Sequence, residues 1–351
     1  MTRPDGQGVN DRFRRQARSN YAMHTCRSYV KLFCPALKKG LTHYSQTSIG
    51  GHVPQDLLQY RMTVLYALLF LFLSLDAQSQ TEYTISQDGK PIPITFKSRG
   101  TAIRGLFYQA SGKDQFPTVI LCPGFPGNNT DVLGLGANLR KKGINALVFN
   151  YRGTWGSEGY LSIPNSLEDV IAAVRYVKSS HAVRTFKIDT SNVTIIGYSF
   201  GGGLALLGSL SDTTVRRVIN IAGGDLTEVA RMMQTSQEYK LSIEDLIEQG
   251  ISSCGFKSLN AKDMFTDVFM DMDKYDLVKH AEPLSQKDVL LIGGWRDQAN
   301  TIEHHLLPLF RALQLHGARQ LEIEVFSTDH FFKDVRNELT QRILSWLKRD
   351  R

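Results

Sequence analysis

The chain has 351 residues, with 41 Lys and Arg against 34 Asp and Glu, and a formal charge of +7. Hydrophobic residues make up 42% and charged residues 21%, which excludes collagen-like, coiled-coil and wholly disordered chains. Four cysteines are too few for a disulfide-dense scaffold.

The charge is confined to one end. Residues 1–61 hold ten Lys or Arg and three Asp or Glu, whereas residues 62–351 hold 31 of each sign. A strongly basic chain invites a nucleic-acid partner, but a neutral body withdraws that reading. Residues 1–61 lack an apolar period and are rich in Arg, Gln, Ser and Gly, which predicts disorder. The stretch 62–77 is different. It runs from Met62 through Leu75 with about 13 apolar residues, then Asp76 and the small Ala77. A bilayer span needs roughly 20 residues, so the run fits a secretory signal peptide better than a transmembrane helix. Two readings stand. Either translation starts at Met62 and residues 1–61 are an upstream mistranslation, or the extension is real and 62–77 is a short signal anchor. The first is preferred, with a mature protein that begins near Gln78 and is secreted or periplasmic. Membrane contact is expected only through 62–77, if that segment stays uncleaved.

Residues 81–351 are predicted to form one domain, since about 270 residues suffice for a single core. The expected strands open with a meander over Tyr83–Ser86, Ile92–Lys97 and Ala102–Gln109, with turns at Asp88-Gly89 and Arg99-Gly100. Thr118–Cys122 is a continuous apolar run, as for a strand buried on both faces. A helix follows over Asp131–Lys142, stopped by Gly143. Asn145–Phe149 is a strand. Asn165 is the expected cap of a helix carrying Leu167, Val170, Ile171, Val174 and Val177 at a 3.6 period. Strand Val193–Ile196, helix Phe200–Leu210 and strand Val215–Ile221 come next. Alternation then stops: Leu226–Glu282 reads as several helices, a cap at about 226–285. Strand Val289–Ile292, helix Ile302–Leu315, strand Leu321–Phe326 and a last amphipathic helix complete the pattern. Such alternation predicts an α/β fold with a mostly parallel central sheet, helices on both faces and a helical cap insertion.

The chemistry centres on Gly197-Tyr198-Ser199-Phe200-Gly201. As a bare pattern it is weak. Here it follows a strand and opens a helix, where a sharp turn has no room for side chains beside the serine. That geometry presents Ser199 Oγ at a helix N-terminus. A serine nucleophile needs a base. Asp297 lies just past strand Val289–Ile292 and His330 just past Leu321–Phe326. All three thus fall at strand ends, with Ser199 as nucleophile, His330 as general base and Asp297 as orienting acid. Asp329 is a less suitable acid because it adjoins His330. Backbone N–H groups of Phe200 and of Phe125, in Pro123-Gly124-Phe125-Pro126-Gly127, are the expected oxyanion donors.

With these residues in place, residues from about 90 to 349 resemble a serine α/β-hydrolase of the esterase-like or prolyl-oligopeptidase-like branch. The segment Asn150-Tyr151-Arg152-Gly153-Thr154-Trp155-Gly156-Ser157-Glu158-Gly159 is similar to the loop after the fourth strand in that family. The resemblance implies structural roles for Arg152 and Ser157. Many members carry His-Gly in the oxyanion loop, where this chain has Pro123-Gly124. The backbone donor survives that change, and a neighbouring imidazole is lost.

Five of the eight methionines fall in the cap, with Phe265 and Phe269 among them. Met232, Met233, Phe265 and Phe269 are candidates for an adaptable substrate pocket, and equally for plain core filling. Asp267, Asp271, Asp273 and Asp276 lack calcium-loop spacing and read as a solvated helix face. His304 and His305 are adjacent and make a poor metal pair. No metal or cofactor is called for. Cys122, at the end of its strand, reads as a buried inert thiol. The leading function is ester hydrolysis by an exported enzyme. Alternatives are a serine peptidase on short peptides and a non-catalytic hydrolase-fold binding protein. Dinucleotide binding fits poorly, because Ser199 stands where a phosphate turn needs glycine.

Overall fold

The computed structural model describes residues 90–349 except 113, 128–129, 255, 258–260 and 262. The basic segment, the 62–77 stretch and the expected strand Tyr83–Ser86 lie outside the described residues. Alternation of side chains sets the first strand: β1 (Ile92–Ser98) turns Ile94, Phe96 and Ser98 inward. Arg99 and Gly100, both at positive φ, join it to β2 (Thr101–Tyr108), with Ser98 facing Thr101. A two-residue hairpin loop of this hand needs positive φ at both positions to match strand twist. β3 (Phe116–Cys122), β4 (Asn145–Phe149), β5 (Ile188–Tyr198), β6 (Arg217–Ile221), β7 (Asp288–Gly294) and β8 (Leu321–Phe326) follow. The spatial order is β1-β2-β4-β3-β5-β6-β7-β8. β2 is antiparallel to both its neighbours, β1 and β4; every other pairing is parallel.

The helices are α1 (Leu135–Arg140), α2 (Ile163–Val177), α3 (Ser180–Phe186), α4 (Phe200–Ser209), α5 (Leu226–Thr235), α6 (Gln237–Cys254), α7 (Thr266–Met270), α8 (Met272–Tyr275), α9 (Ala281–Ser285), α10 (Leu307–Leu315) and α11 (Arg336–Leu347). Four differ from expectation for local reasons. α1 starts four residues later than predicted, because Leu133 and Gly134 are left-handed (φ 55° and 76°). Asp131 instead reaches over this break and accepts from Gly136 and Ala137 N–H. α2 is capped by Ser162, whose Oγ accepts from Asn165 N–H, so Asn165 sits inside the first turn. Pro164 is tolerated there because first-turn N–H groups have no helical partner. α3 was not anticipated. Ser179 caps it, and Phe186 stacks on Phe107 at 3.9 Å. The predicted helix Ile302–Leu315 opens with a wide π turn over Ile302–Leu306 before α10.

Period two sorts each central strand onto two cores. Ile120 and Cys122 of β3 face the cluster covered by α2, α4, α10 and the cap, with Val170, Leu204, Leu313 and Val268. Val119 and Leu121 face the cluster under α1 and α11, with Leu139, Leu339 and Ile343. Cys122 is free and buried, and burial pushes its thiol well up from the ordinary value. At the β8 edge, Glu322 and Glu324 pair with Arg342 of α11 at 2.7 and 3.1 Å. Such charge discourages edge-to-edge pairing. The insertion α5–α9 lies between β6 and β7 in the chain.

Candidate active site

β4 lies on one side of β3 and β5 on the other, so the chain changes direction of winding between β3 and β5. Open α/β sheets place ligand sites outside the strand ends at such a switch. Ser199 follows β5 there. Its φ of 54° and ψ of −121° are costly for a residue with a side chain. Flanking glycines make the turn feasible: a Cβ at Gly197 would lie 2.0 Å from Gly201 O, and one at Gly201 would lie 2.3 Å from Cys122 O. Ser199 N–H donates to Ile221 O at 2.9 Å, fastening the turn to the end of β6. The serine stays half-buried, with access to solvent.

The structure brings Asp297 and His330 to this serine from β7 and β8. His330 Nε2 is 2.9 Å from Ser199 Oγ, and His330 Nδ1 is 2.7 Å from Asp297 Oδ2. Asp297 and His330 are 4% and 6% exposed, which keeps water from competing for the Nδ1 contact. Asp297 Oδ1 is committed elsewhere, accepting from Ala299 and Asn300 N–H, both at 2.9 Å. With Nδ1–H donating to the carboxylate, Nε2 is left as the acceptor for the serine hydroxyl. Asp329 accepts from Phe331 N–H, and the orienting contact goes to Asp297. Two supporting residues were not foreseen. Tyr198 donates from its hydroxyl to His330 O at 3.0 Å, and its ring lies 5.4 Å from the imidazole. Asn300 donates to Ala222 O at 2.7 Å, tying the Asp297 loop to the end of β6. Tyr198 stood inside the motif; nothing in the sequence marked Asn300.

The loop after β3 lies directly against the serine. A Cβ on Gly124 would sit 3.0 Å from Ser199 Cβ and 3.0 Å from the Tyr198 ring, so any side chain there would have to push one of them aside. The Phe125 ring meets Phe200 edge-on at 6.4 Å, and Phe200 meets Tyr151 edge-on at 5.5 Å. Tyr151 donates to Pro123 O at 3.1 Å. Pro123 is thus held through its carbonyl. Arg152 and Ser157 are interior fasteners. Arg152 Nε and N donate to Asp169 Oδ1 and Oδ2, each at 2.8 Å, and Arg152 Nη2 donates to Ser98 Oγ. Ser157 Oγ donates to Asn150 O and accepts from Arg104 N–H.

The cap candidates divide. Met233 and Phe265 are buried in the main apolar cluster, as core side chains are. Met232 and Phe269 are half-buried, and Met270 is 80% exposed. The aspartate row is not one solvated face. Asp276 is buried: Oδ2 pairs with Arg231 at 2.6 Å, and Oδ1 accepts from Val278 and Lys279 N–H. Asp225 accepts from Thr227 N–H through Oδ1 and from Leu277 N–H through Oδ2, joining both flanks of the cap. Burial raises its carboxyl to about 6. His305, buried beside it, accepts from Asp225 N–H at Nδ1, and burial lowers the imidazole to about 4. Among the described residues no group of three or more His, Cys, Asp or Glu could hold a metal, and no helix is long and apolar enough to cross a membrane. A cavity of about 390 Å³ lies at the opposite end of the central strands, lined by Thr118, Lys142, Asn192 and Arg217.

The family model described as BD-FAE matches residues 105–250, which hold the loop after β3, the Arg152 loop and Ser199. The quorum-quenching protein AidA of Acinetobacter baumannii (strain MDR-ZJ06) is 30% identical over 135 residues. That match spans 37% of this chain and 43% of that protein, less than half of it. The Pyrococcus furiosus esterase Pf2001 superposes with a TM-score of 0.56 at 17% identity, covering 74% of this chain and 91% of that one. The hypothetical protein PA2218 from Pseudomonas aeruginosa gives a TM-score of 0.58 at 16% identity, covering 76% and 95%. Sheet order, helical insertion and the superposed structures show the α/β-hydrolase fold, and the partial matches to the family model and to AidA make the chain similar to that superfamily over the segment that holds Ser199.

Proposed function

We propose that the protein is an exported serine hydrolase that cleaves carboxylic esters through an acyl-enzyme. The observation that carries this reading is the continuous chain Ser199 Oγ, His330 Nε2, His330 Nδ1, Asp297 Oδ2, with contacts of 2.9 and 2.7 Å. Ser199 Oγ attacks the ester carbonyl while His330 Nε2 takes its proton. Phe125 and Phe200 N–H stabilise the tetrahedral oxyanion at the N-terminus of α4. His330 returns the proton to the leaving alkoxide, which departs as an alcohol. Water then attacks the acyl-serine by the same steps and releases the acid. Asp297 holds the imidazole tautomer throughout and stabilises the imidazolium. Half-buried Met232 and Phe269 are assigned to contact an apolar acyl or alcohol group. Residues 62–77 are assigned as the export signal.

A fluorophosphonate probe is expected to label Ser199. Ser199→Ala should lose the label and at least about 10⁴-fold of p-nitrophenyl ester hydrolysis. Unchanged hydrolysis by that variant would overturn the mechanism. A panel of short and long acyl esters beside aminoacyl anilides separates esterase from peptidase, since preference for the anilides assigns the site to peptides. N-terminal sequencing of exported protein tests the signal: a start near Gln78 supports it, and peptides from residues 1–60 refute it.

A further inference from the structure

We infer that Gly250, in the cap helix α6, is a positioning residue for the oxyanion loop, holding the Phe125 ring in the space its own missing side chain leaves. This rests on the proposed role of Phe125 N–H. Gly250 is buried on the apolar face of α6, beside Ile243, Ile247 and Ile251. Glycine inside a helix is intrinsically unfavourable, so a packing reason is expected there. The reason is local. A Cβ on Gly250 would lie 2.9 Å from Phe125 Cε1, 3.0 Å from Cζ and 3.6 Å from Pro126 Cβ.

The ring is half-buried and packed among aromatic neighbours. Its other side meets Phe200 edge-on, and Phe200 meets Tyr151, whose hydroxyl holds Pro123 O. The two residues proposed to supply the oxyanion N–H groups are therefore packed on each other through their side chains. α6 closes that stack from above. The backbone of Phe125 is anchored on its other flank by Gly124, in contact distance of Ser199. A shift of the ring that rotation about its own side-chain bonds does not absorb passes to the Phe125 peptide and changes its position relative to the Phe200 peptide. The cap's return segment is fastened independently: Lys257 N–H donates to Gly153 O, and Leu161 N–H donates to Lys257 O. Position of the cap and geometry of the oxyanion site are thereby coupled through one aromatic ring. Donor geometry acts on the charged intermediate, so the coupling belongs in kcat and leaves substrate affinity alone.

The test is Gly250→Ala in the full chain, with Phe125→Leu and the double variant beside it. Alanine is the better helix former, so the melting temperature should stay level or rise. Gly250→Ala is expected to lower kcat for a p-nitrophenyl ester about tenfold, to keep KM within about twofold, and to weaken an aryl trifluoromethyl ketone about as much as kcat. Phe125→Leu removes the ring that the added methyl group would strike. The double variant should therefore match Phe125→Leu alone, even if Gly250→Ala folds poorly. Wild-type kcat in Gly250→Ala, losses that multiply in the double variant, or a fall in kcat matched by a rise in KM each overturn the inference. Wild-type protein that fails to react with the fluorophosphonate at Ser199 overturns the hydrolase reading itself, which is a separate result.

Discussion

Replacing Asp297 with asparagine tests the site through a tautomer, because the loop dictates which way the amide must face. Asp297 Oδ1 accepts two backbone N–H groups, from Ala299 and Asn300 at 2.9 Å each. An asparagine at 297 keeps both only by placing its carbonyl oxygen there. Its NH₂ then occupies the Oδ2 position, 2.7 Å from His330 Nδ1. A donor facing Nδ1 forces that nitrogen to accept, so the ring proton moves to Nε2. Nε2–H then points at Ser199 Oγ and can no longer take its proton. The expected loss in kcat at neutral pH is about 10³–10⁴-fold, or about 4–5.5 kcal/mol of barrier. Asp297→Ala imposes no tautomer, so it should be no worse than the isosteric Asp297→Asn. The Asn variant should also keep its melting temperature, since both loop contacts survive. Initial rates on a p-nitrophenyl ester, with circular dichroism melts, decide the matter. An Asn variant within about tenfold of wild type, or one clearly more active than Ala, would refute the orientation deduced for Asp297.

Two further outcomes are expected. Asp169→Ala takes the paired carboxylate from the Arg152 side chain, which is 8% exposed: Nε and the backbone N–H lose their acceptor, while Nη2 keeps Ser98 Oγ. It should cost about 3–5 kcal/mol in urea unfolding, and a loss below about 1 kcal/mol would show that the pair is dispensable. His305 must stay neutral to accept from Asp225 N–H, and burial holds its imidazole down at about 4. The unfolded chain therefore binds the extra proton first, and His305 contributes stability at pH above the unfolded value that is lost as pH falls through the folded one. Measured by urea titration, the stability advantage of wild type over His305→Asn should shrink by about 3 kcal/mol as pH drops from about 6.5 to 4. A pH-independent difference would mean the imidazole is not buried as described. Asp225, raised to about 6, titrates with the opposite sign and is common to both proteins.

Strand–helix alternation, the interruption over the cap and the site residues at strand ends were all legible in the sequence. Ser199, His330 and Asp297 were readable as candidates that the fold brings together because each follows a strand, and strands announce themselves through apolar runs. Cap boundaries of individual helices were less readable. Asp131 reaches past two left-handed residues to cap α1, and Ser162 takes the cap position that Asn165 also suited. Both choices depend on which polar side chain the tertiary fold leaves facing the helix end. Asp276 shows the same limit: charge spacing alone reads as a solvated face, while the fold buries this carboxylate and supplies Arg231 of α5 as its partner.

By itself, the sequence determined the sheet-forming segments, the glycine-flanked serine and the order in which acid and base follow it, because these rest on local sterics and periodicity. It also determined that the excess positive charge lies ahead of the neutral body. The tertiary structure alone decided that Tyr198 and Asn300 hold the His330 and Asp297 loops, that Asp225 joins both flanks of the cap, and that Gly250 seats Phe125. These are meetings of residues up to 132 positions apart. No local pattern encodes them, since they exist only once the strands are in register and the cap is packed down on the loop after β3.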